Sequence, residues 1–220
     1  MNKKQNILKA ALVLFTENGA RATSTKSIAT EAGVSEALIF KHFGTKDNLL
    51  EEIIKKGYQE ASKFTNNYLI VDSPEEFLRK FIDLPQELVD NQFDFWRMQY
   101  KILPLNPIAQ QYHNNFMNPS NEQLKLSFET LNYKHPELEA EIMLLFIDNV
   151  WKSYVSERLT QKKCQEIALL LNTPYYNKNA ICSGLHFFCV LDVVYLSFVK
   201  KIKNVYKRKS KKRNALNATI

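Results

Sequence analysis

The sequence predicts an all-α protein, and three observations carry that prediction. Apolar residues recur at spacings of three and four along most of the 220 residues, while few segments alternate with period two. Gly and Pro are scarce, five and seven in all, whereas Leu, Ile, Lys, Glu and Asn are common. The 45% hydrophobic and 24% charged fractions belong to a chain that folds around a core, not to a disordered one.

The first helix is expected over residues 3–18, with Ile7, Leu8, Ala11, Leu14 and Phe15 on one face and Asn18-Gly19 as its stop. The basic start and apolar run of "MNKKQNILKAALVLF" look like a signal peptide, but Lys9 interrupts the run, Glu17 follows and no small-residue cleavage site appears. Ser24 or Thr25 caps a second helix that reaches Ala32, and Ser35 caps a third that reaches Phe43. Gly44 ends the third helix, and Thr45 caps a longer fourth helix to about Asn67, with Asp47 in its first turn, where the helix dipole favours an acid.

Ser73 and Pro74 open the next helix, 74–91, which should kink at Pro85. "DFWRMQYKIL" makes another helix, closed by "PLNP", and helices over 107–117 and 119–132 follow. A long helix is expected over 136–160, a shorter one over 162–172, a loop at "NTPYYNKN" and a last long helix over 178–204. The chain therefore divides into a head (1–50), a helical body (51–206) and a basic tail (207–220).

The second and third helices, joined through Ala32-Gly33-Val34, make a helix-turn-helix. Gly33 supplies the left-handed residue of the turn, and the small Ala29 lets the third helix cross close over the second. The stretch "ILKAALVLFTENGARATSTKSIATEAGVSEALIFKHFGTKDNLLEEII" resembles the N-terminal domain of tetracycline-repressor-type (TetR family) regulators over about residues 5–55, a quarter of the chain. The resemblance implies a three-helix DNA-binding head, a ligand-binding helical body and a homodimer reading a pseudo-palindromic operator in double-stranded DNA, most often as a ligand-released repressor. It also implies phosphate contact by Lys46. The family commonly has Tyr where this chain has Phe40, and Phe40 lacks the hydroxyl that would reach a phosphate.

A recognition helix presents its N-terminal half to base edges. Glu36, Ala37, Lys41 and His42 are the exposed candidates. Lys41 can donate to guanine O6 or N7, Glu36 can accept from cytosine N4, and Ala37 allows close approach to a thymine methyl. His42 suits backbone contact or packing better. Thr25, Lys26, Ser35 and Lys46 are the candidates for phosphate contact, several at helix N-termini whose amides point at anions.

The body is rich in aromatics between residues 64 and 133, as small-molecule pockets and ordinary helical cores both are. Trp96, Tyr100, Tyr112 and Phe116 are the candidate lining for a small, apolar or aromatic ligand, chosen mainly because family pockets lie among the central helices. Asp148 falls in an apolar stretch and has Lys152, one turn on, as a candidate partner. His113, His135 and His186 are too scattered for a metal site, and no Ser-His-Asp order or phosphate-binding glycine loop is visible, so neither a catalytic site, a metal nor a cofactor is expected.

Cys164, Cys182 and Cys189 form no CxxC pair and read as reduced thiols of a cytoplasmic protein. The run 180–199 is apolar almost all round, which suits a four-helix dimer interface with 136–160. It is also long enough to span a bilayer, so a membrane-attached DNA-binding regulator is the alternative, disfavoured by Asp192. Of the formal charge of +7, residues 200–213 contribute nine Lys or Arg and no acid, leaving the rest slightly acidic. Such a tail suits salt-sensitive, sequence-independent affinity for nucleic acid, attraction to anionic lipid, or simple solvation away from DNA.

Overall fold

The structure is a computed structural model and describes residues 2–176. The helix expected over 178–204, the apolar run 180–199, Cys182, His186, Cys189, Asp192 and the basic tail lie outside the described residues. Among the described residues there are eight helices and no strand: α1 Lys3–Asn18, α2 Thr25–Ala32, α3 Glu36–Phe43, α4 Lys46–Tyr68, α5 Pro74–Ile102, α6 Pro107–Thr130, α7 Pro136–Val155 and α8 Gln161–Tyr176. None of the described helices is long and apolar enough to cross a membrane. Met1–Leu169 pack as one unit, and Leu170–Ile220 form a second, of which only the end of α8 is described.

The head folds as its local chemistry dictates. Asn2, Ser24 and Thr45 each accept a backbone N–H in the first turn of the helix they precede, satisfying donors that a helix start leaves free. Gly33 sits at φ 64°, ψ 39°. Its N–H bonds to Thr30 O at 3.2 Å and the Val34 N–H to Ala29 O at 3.0 Å, the paired bonds of a Schellman end. Ile7, Ala11 and Phe15 from α1, Ile28 from α2, Ile39 from α3 and Leu49 from α4 are at most 1% exposed and close one core. Each of the Ile, Leu and Phe side chains contributes about 1.5–3 kcal/mol by leaving water. Gly33→Ala is expected to cost about 1–2 kcal/mol through the left-handed backbone alone, because nothing lies near enough to clash with a new Cβ. Urea unfolding at pH 7 measures it, and an unchanged midpoint would contradict it.

α4 runs unbroken from head to body, so the expected boundary at residue 50 falls within a single helix. The two parts also meet through α1. Thr16 Oγ1 donates to Asp94 O at 3.1 Å, and Lys101 Nζ donates to Thr16 O. Gly57 of α4 faces Phe95 of α5 so closely that a Cβ there would overlap the ring.

The body departs from the sequence reading in four places. The boundary expected after residue 91 is present as a backbone break at Gln92 (φ −144°, ψ 46°) within residues 74–102, but the kink expected at Pro85 is not. Proline's fixed φ is helical, and burial of Leu84, Pro85, Leu88 and Val89 holds that stretch. At the break, Asn91 Nδ2 donates to Glu87 O at 2.7 Å and so competes with the helix ladder, while Gln92 Nε2 donates to the Glu60 carboxylate of α4 at 2.8 Å. The two helices expected over 107–132 are one, α6, continuous through Pro119. α7 stops at Val155, short of 160, in a Schellman end with Glu157 at φ 57°: Glu157 N–H bonds to Tyr154 O and Arg158 N–H to Ser153 O. The loop expected at 172–179 begins as helix, since α8 continues to Tyr176.

Candidate functional site

α3 is only eight residues long and buries one side, Ile39 and Phe43, against the head. Ala37, Phe40 and Lys41 lie on the other side, at the i, i+3 and i+4 spacing that gives a helix a single face. All three are exposed, and Phe40, a large apolar ring, is 47% exposed. Ser35 is the N-cap residue yet makes no side-chain cap bond, so its exposed hydroxyl is not committed to the helix. His42 is exposed, its ring 6.1 Å from that of Phe43.

One polar contact fixes this helix and a second fixes the entry to α2, and neither was legible in the sequence. Thr25 Oγ1 donates to Glu36 Oε1 across the Gly33 turn, tying the first turn of α2 to the first turn of α3. The hydroxyl proton of Thr25 is thereby used, and one oxygen of Glu36 is held in place. Lys46 Nζ donates to Thr23 O at 2.8 Å and to Arg21 O at 3.4 Å, clasping the segment that leads into α2. Eleven and twenty-three residues separate these partners, beyond any local spacing rule. Lys26 is exposed at the start of α2.

In the body, the four candidate pocket residues come together, but not around a common void. Trp96 is 0% and Tyr100 5% exposed, whereas Tyr112 and Phe116 are half-buried. The Trp96 ring lies 4.2 Å from Trp151, 4.9 Å from Phe95, 5.5 Å from Tyr58 and 5.8 Å from Phe116, centroid to centroid. Those are separations of rings in contact, within a core built by α4, α5, α6 and α7. Tyr58 and Tyr112 stack at 6.2 Å with their planes 13° apart.

A polar relay threads this core. Tyr58 Oη meets His113 Nδ1 at 3.0 Å, His113 Nε2 lies 3.3 Å from Asp148 Oδ1, and Tyr100 Oη donates to the same carboxylate oxygen at 2.6 Å. This corrects the expected pairing: the direct partners of Asp148 are His113 and Tyr100, and Lys152 acts on it only through its charge. The corrected partners lie on two other helices, where no spacing within α7 could reveal them. Burial alone would raise the Asp148 carboxyl, but the bonds from His113 and Tyr100, with the charges of His113 and Lys152, hold it below the ordinary carboxylate range. Burial, reinforced by Asp148, pushes the Tyr100 hydroxyl well up, and burial does the same for Tyr58. Among the described residues no group of His, Cys, Asp or Glu is arranged to hold a metal ion.

A depressed folded pKa stabilises the protein above the unfolded value of about 3.9 and ceases to do so as pH falls through the folded value. Asp148→Asn is therefore expected to flatten the loss of stability below about pH 4. Urea midpoints between pH 3 and 7 read this directly, and an acid limb unchanged by the substitution would refute the relay.

Residues 7–53 match the sequence profile of bacterial regulatory proteins, tetR family. The HTH-type transcriptional repressor Rv3405c of Mycobacterium tuberculosis is 48% identical over 77 residues, which are 35% of this chain and 39% of that one. The chain thus spans about two fifths of the length of that relative. The HTH-type transcriptional repressor KstR2 of the same organism is 26% identical over 165 residues, covering 69% of this chain and 80% of its own. The fold extends the likeness beyond the head. The TetR family transcriptional regulator PfmR from Thermus thermophilus superposes with a TM-score of 0.63 at 21% identity, covering 80% of this chain and 96% of that one. A regulator from Saccharomonospora viridis, solved in complex with choline, gives 0.63 at 18% identity over 77% and 93%. The chain thus carries, over residues 7–53, the helix-turn-helix head of the tetR family of bacterial regulatory proteins, joined to a helical body that shares the fold of solved regulators.

Proposed function

We propose that this chain is a sequence-specific, ligand-responsive transcriptional repressor that acts in the cytoplasm as a homodimer on a pseudo-palindromic operator. The outward face of α3 carries the proposal: Ala37, Phe40 and Lys41 project from a helix whose backbone is fixed by the Gly33 turn and by the Thr25–Glu36 bond. A rigid eight-residue helix with a small residue, an apolar ring and a cation on one side suits the major groove. In this reading Lys41 donates to guanine, Ala37 admits a thymine methyl, and Glu36 offers its second oxygen to cytosine. Phosphates are taken by Lys26, Ser35, Lys46 and the free N–H groups at the start of α2. The hydroxyl of Thr25 orders Glu36, and His42 lies at the rim. Phe40 packs on sugar or base methyl groups.

Two such heads need a dimer. Leu138 and Leu145 of α7 are 45% and 66% exposed, and their spacing of seven puts them on one stripe. α7 is accordingly the described part of the proposed interface. A second chain would bury this stripe, the body would house the small ligand, and the ligand would act on the heads through α4.

Footprinting on DNA flanking the gene for this chain tests the reading. A protected, two-fold symmetric site is expected, bound by a species that sediments as a dimer. Binding indifferent to sequence at physiological salt, or a monomer protecting a single half-site, would refute it.

A further inference from the structure

The four candidate ligand residues divide: Trp96 and Tyr100 belong to a filled core, while Tyr112 and Phe116 open onto solvent. Together with Tyr58 they floor a groove of about 670 Å³ between α4 and α6. Its walls are amides and hydroxyls, Asn115 and Ser62 among them, and its charged groups are Lys55 and Lys63, with no acid in the lining. Both lysines are exposed, and neither is ion-paired among the described residues. They stand eight residues apart on α4, about 12 Å along the axis, so that the aromatic floor lies between two cations. Asp148, whose charge acts on Tyr58 from the interior, already accepts from Tyr100 and faces His113, and it does not line the groove.

From this arrangement we infer that the α4–α6 groove binds an organic anion, with its apolar or aromatic body on Tyr58, Tyr112 and Phe116 and its carboxylate held by Lys55 or Lys63. The inference rests on the ligand-responsive reading above and gives that ligand its charge. An ammonium compound would meet two lysines and no counter-ion, and a neutral one would leave both cations as they are. The floor is also connected. The Tyr58 hydroxyl leaves the groove for His113, and the helix that carries Tyr58 and both lysines begins in the head at the Lys46 clasp.

Calorimetric titration of the full chain with 2-naphthoate, and with decanoate as an alkyl carboxylate, tests the inference. The neutral isostere 2-naphthamide and the cation 2-naphthylmethylammonium are the controls. At least one carboxylate is expected to bind, about tenfold or more tighter than either control. A Lys55→Gln/Lys63→Gln variant should lose that preference with its thermal midpoint unchanged, since both side chains are exposed. Ser62→Trp, which fills the groove from α4, should weaken carboxylate and amide alike. Failure of both carboxylates to bind, preference for amide or ammonium, or carboxylate binding indifferent to both variants would overturn the assignment. Operator release is scored in parallel. Lysine-dependent binding that leaves operator affinity unchanged supports the groove and sinks the ligand-release reading. Release by a carboxylate that ignores both variants does the reverse.

Discussion

Trp96→Ala is expected to lower the folding free energy by about 3–5 kcal/mol, the range for removing a large aromatic from a packed core. Trp96 is wholly buried, and its ring meets those of Tyr58, Phe95, Phe116 and Trp151, which come from four different helices. Closing the resulting cavity would require those helices to move together, so relaxation is limited and the cost falls toward the upper end. Against a typical total of about 5–15 kcal/mol, that is a large share. Trp96→Phe separates packing from polarity. The indole Nε1 is buried without a hydrogen-bond partner, so phenylalanine gives up area but also removes an unsatisfied donor. Its cost should be well below that of alanine. Urea denaturation followed by far-UV circular dichroism gives both values. A cost below about 1.5 kcal/mol for Trp96→Ala would mean that the ring lines open space, as a pocket residue does, and not a core.

That contrast marks where the sequence was legible. The head was legible almost to the residue, because local chemistry determines it. Ser24 and Thr45 cap, Gly33 and Gly44 terminate, and the apolar stripe of each helix faces one small core. The outward side of α3 followed in part from the same period: Ala37, Lys41 and His42 are exposed as expected, whereas Glu36, expected to be exposed, is half-buried in its bond to Thr25. In the body, the decisive contacts join distant segments. Asp148 is bonded to Tyr100, 48 residues away, while its neighbour on the helix, Lys152, lends only charge. The break in α5 at Gln92 lies where the sequence ends one helix, but the kink expected at Pro85 is absent, because that proline is carried by burial around it. Aromatic composition pointed to the central helices, but only packing separates Trp96, in the core, from Phe116, on a groove.

Lys41→Ala and Lys46→Ala are expected to weaken operator binding in different ways. Lys41 is exposed on α3 and supplies the cation of its outward face, so in the proposed complex its donors meet base edges. Losing a base-reading contact of this kind costs about 1–3 kcal/mol and relaxes specificity at that position. A two-headed dimer loses it twice, so about 2–6 kcal/mol is expected on the operator and little on random duplex. Lys46 is placed otherwise: its ammonium donates to the carbonyls of Thr23 and Arg21 and holds the entry to α2 beside the position proposed for the phosphates. Alanine there removes a charge that every sequence meets and loosens the clasp behind α2. Affinity should fall by a similar factor on operator and random DNA, with the salt slope reduced by about one per head. Titrations of both variants on both duplexes, between about 50 and 200 mM salt, separate the two patterns. If Lys41→Ala weakens random and operator DNA equally, α3 does not read sequence through that residue. If Lys46→Ala changes the ratio of specific to non-specific affinity and leaves the salt slope intact, its part is to position α3 for the bases and not to neutralise a phosphate.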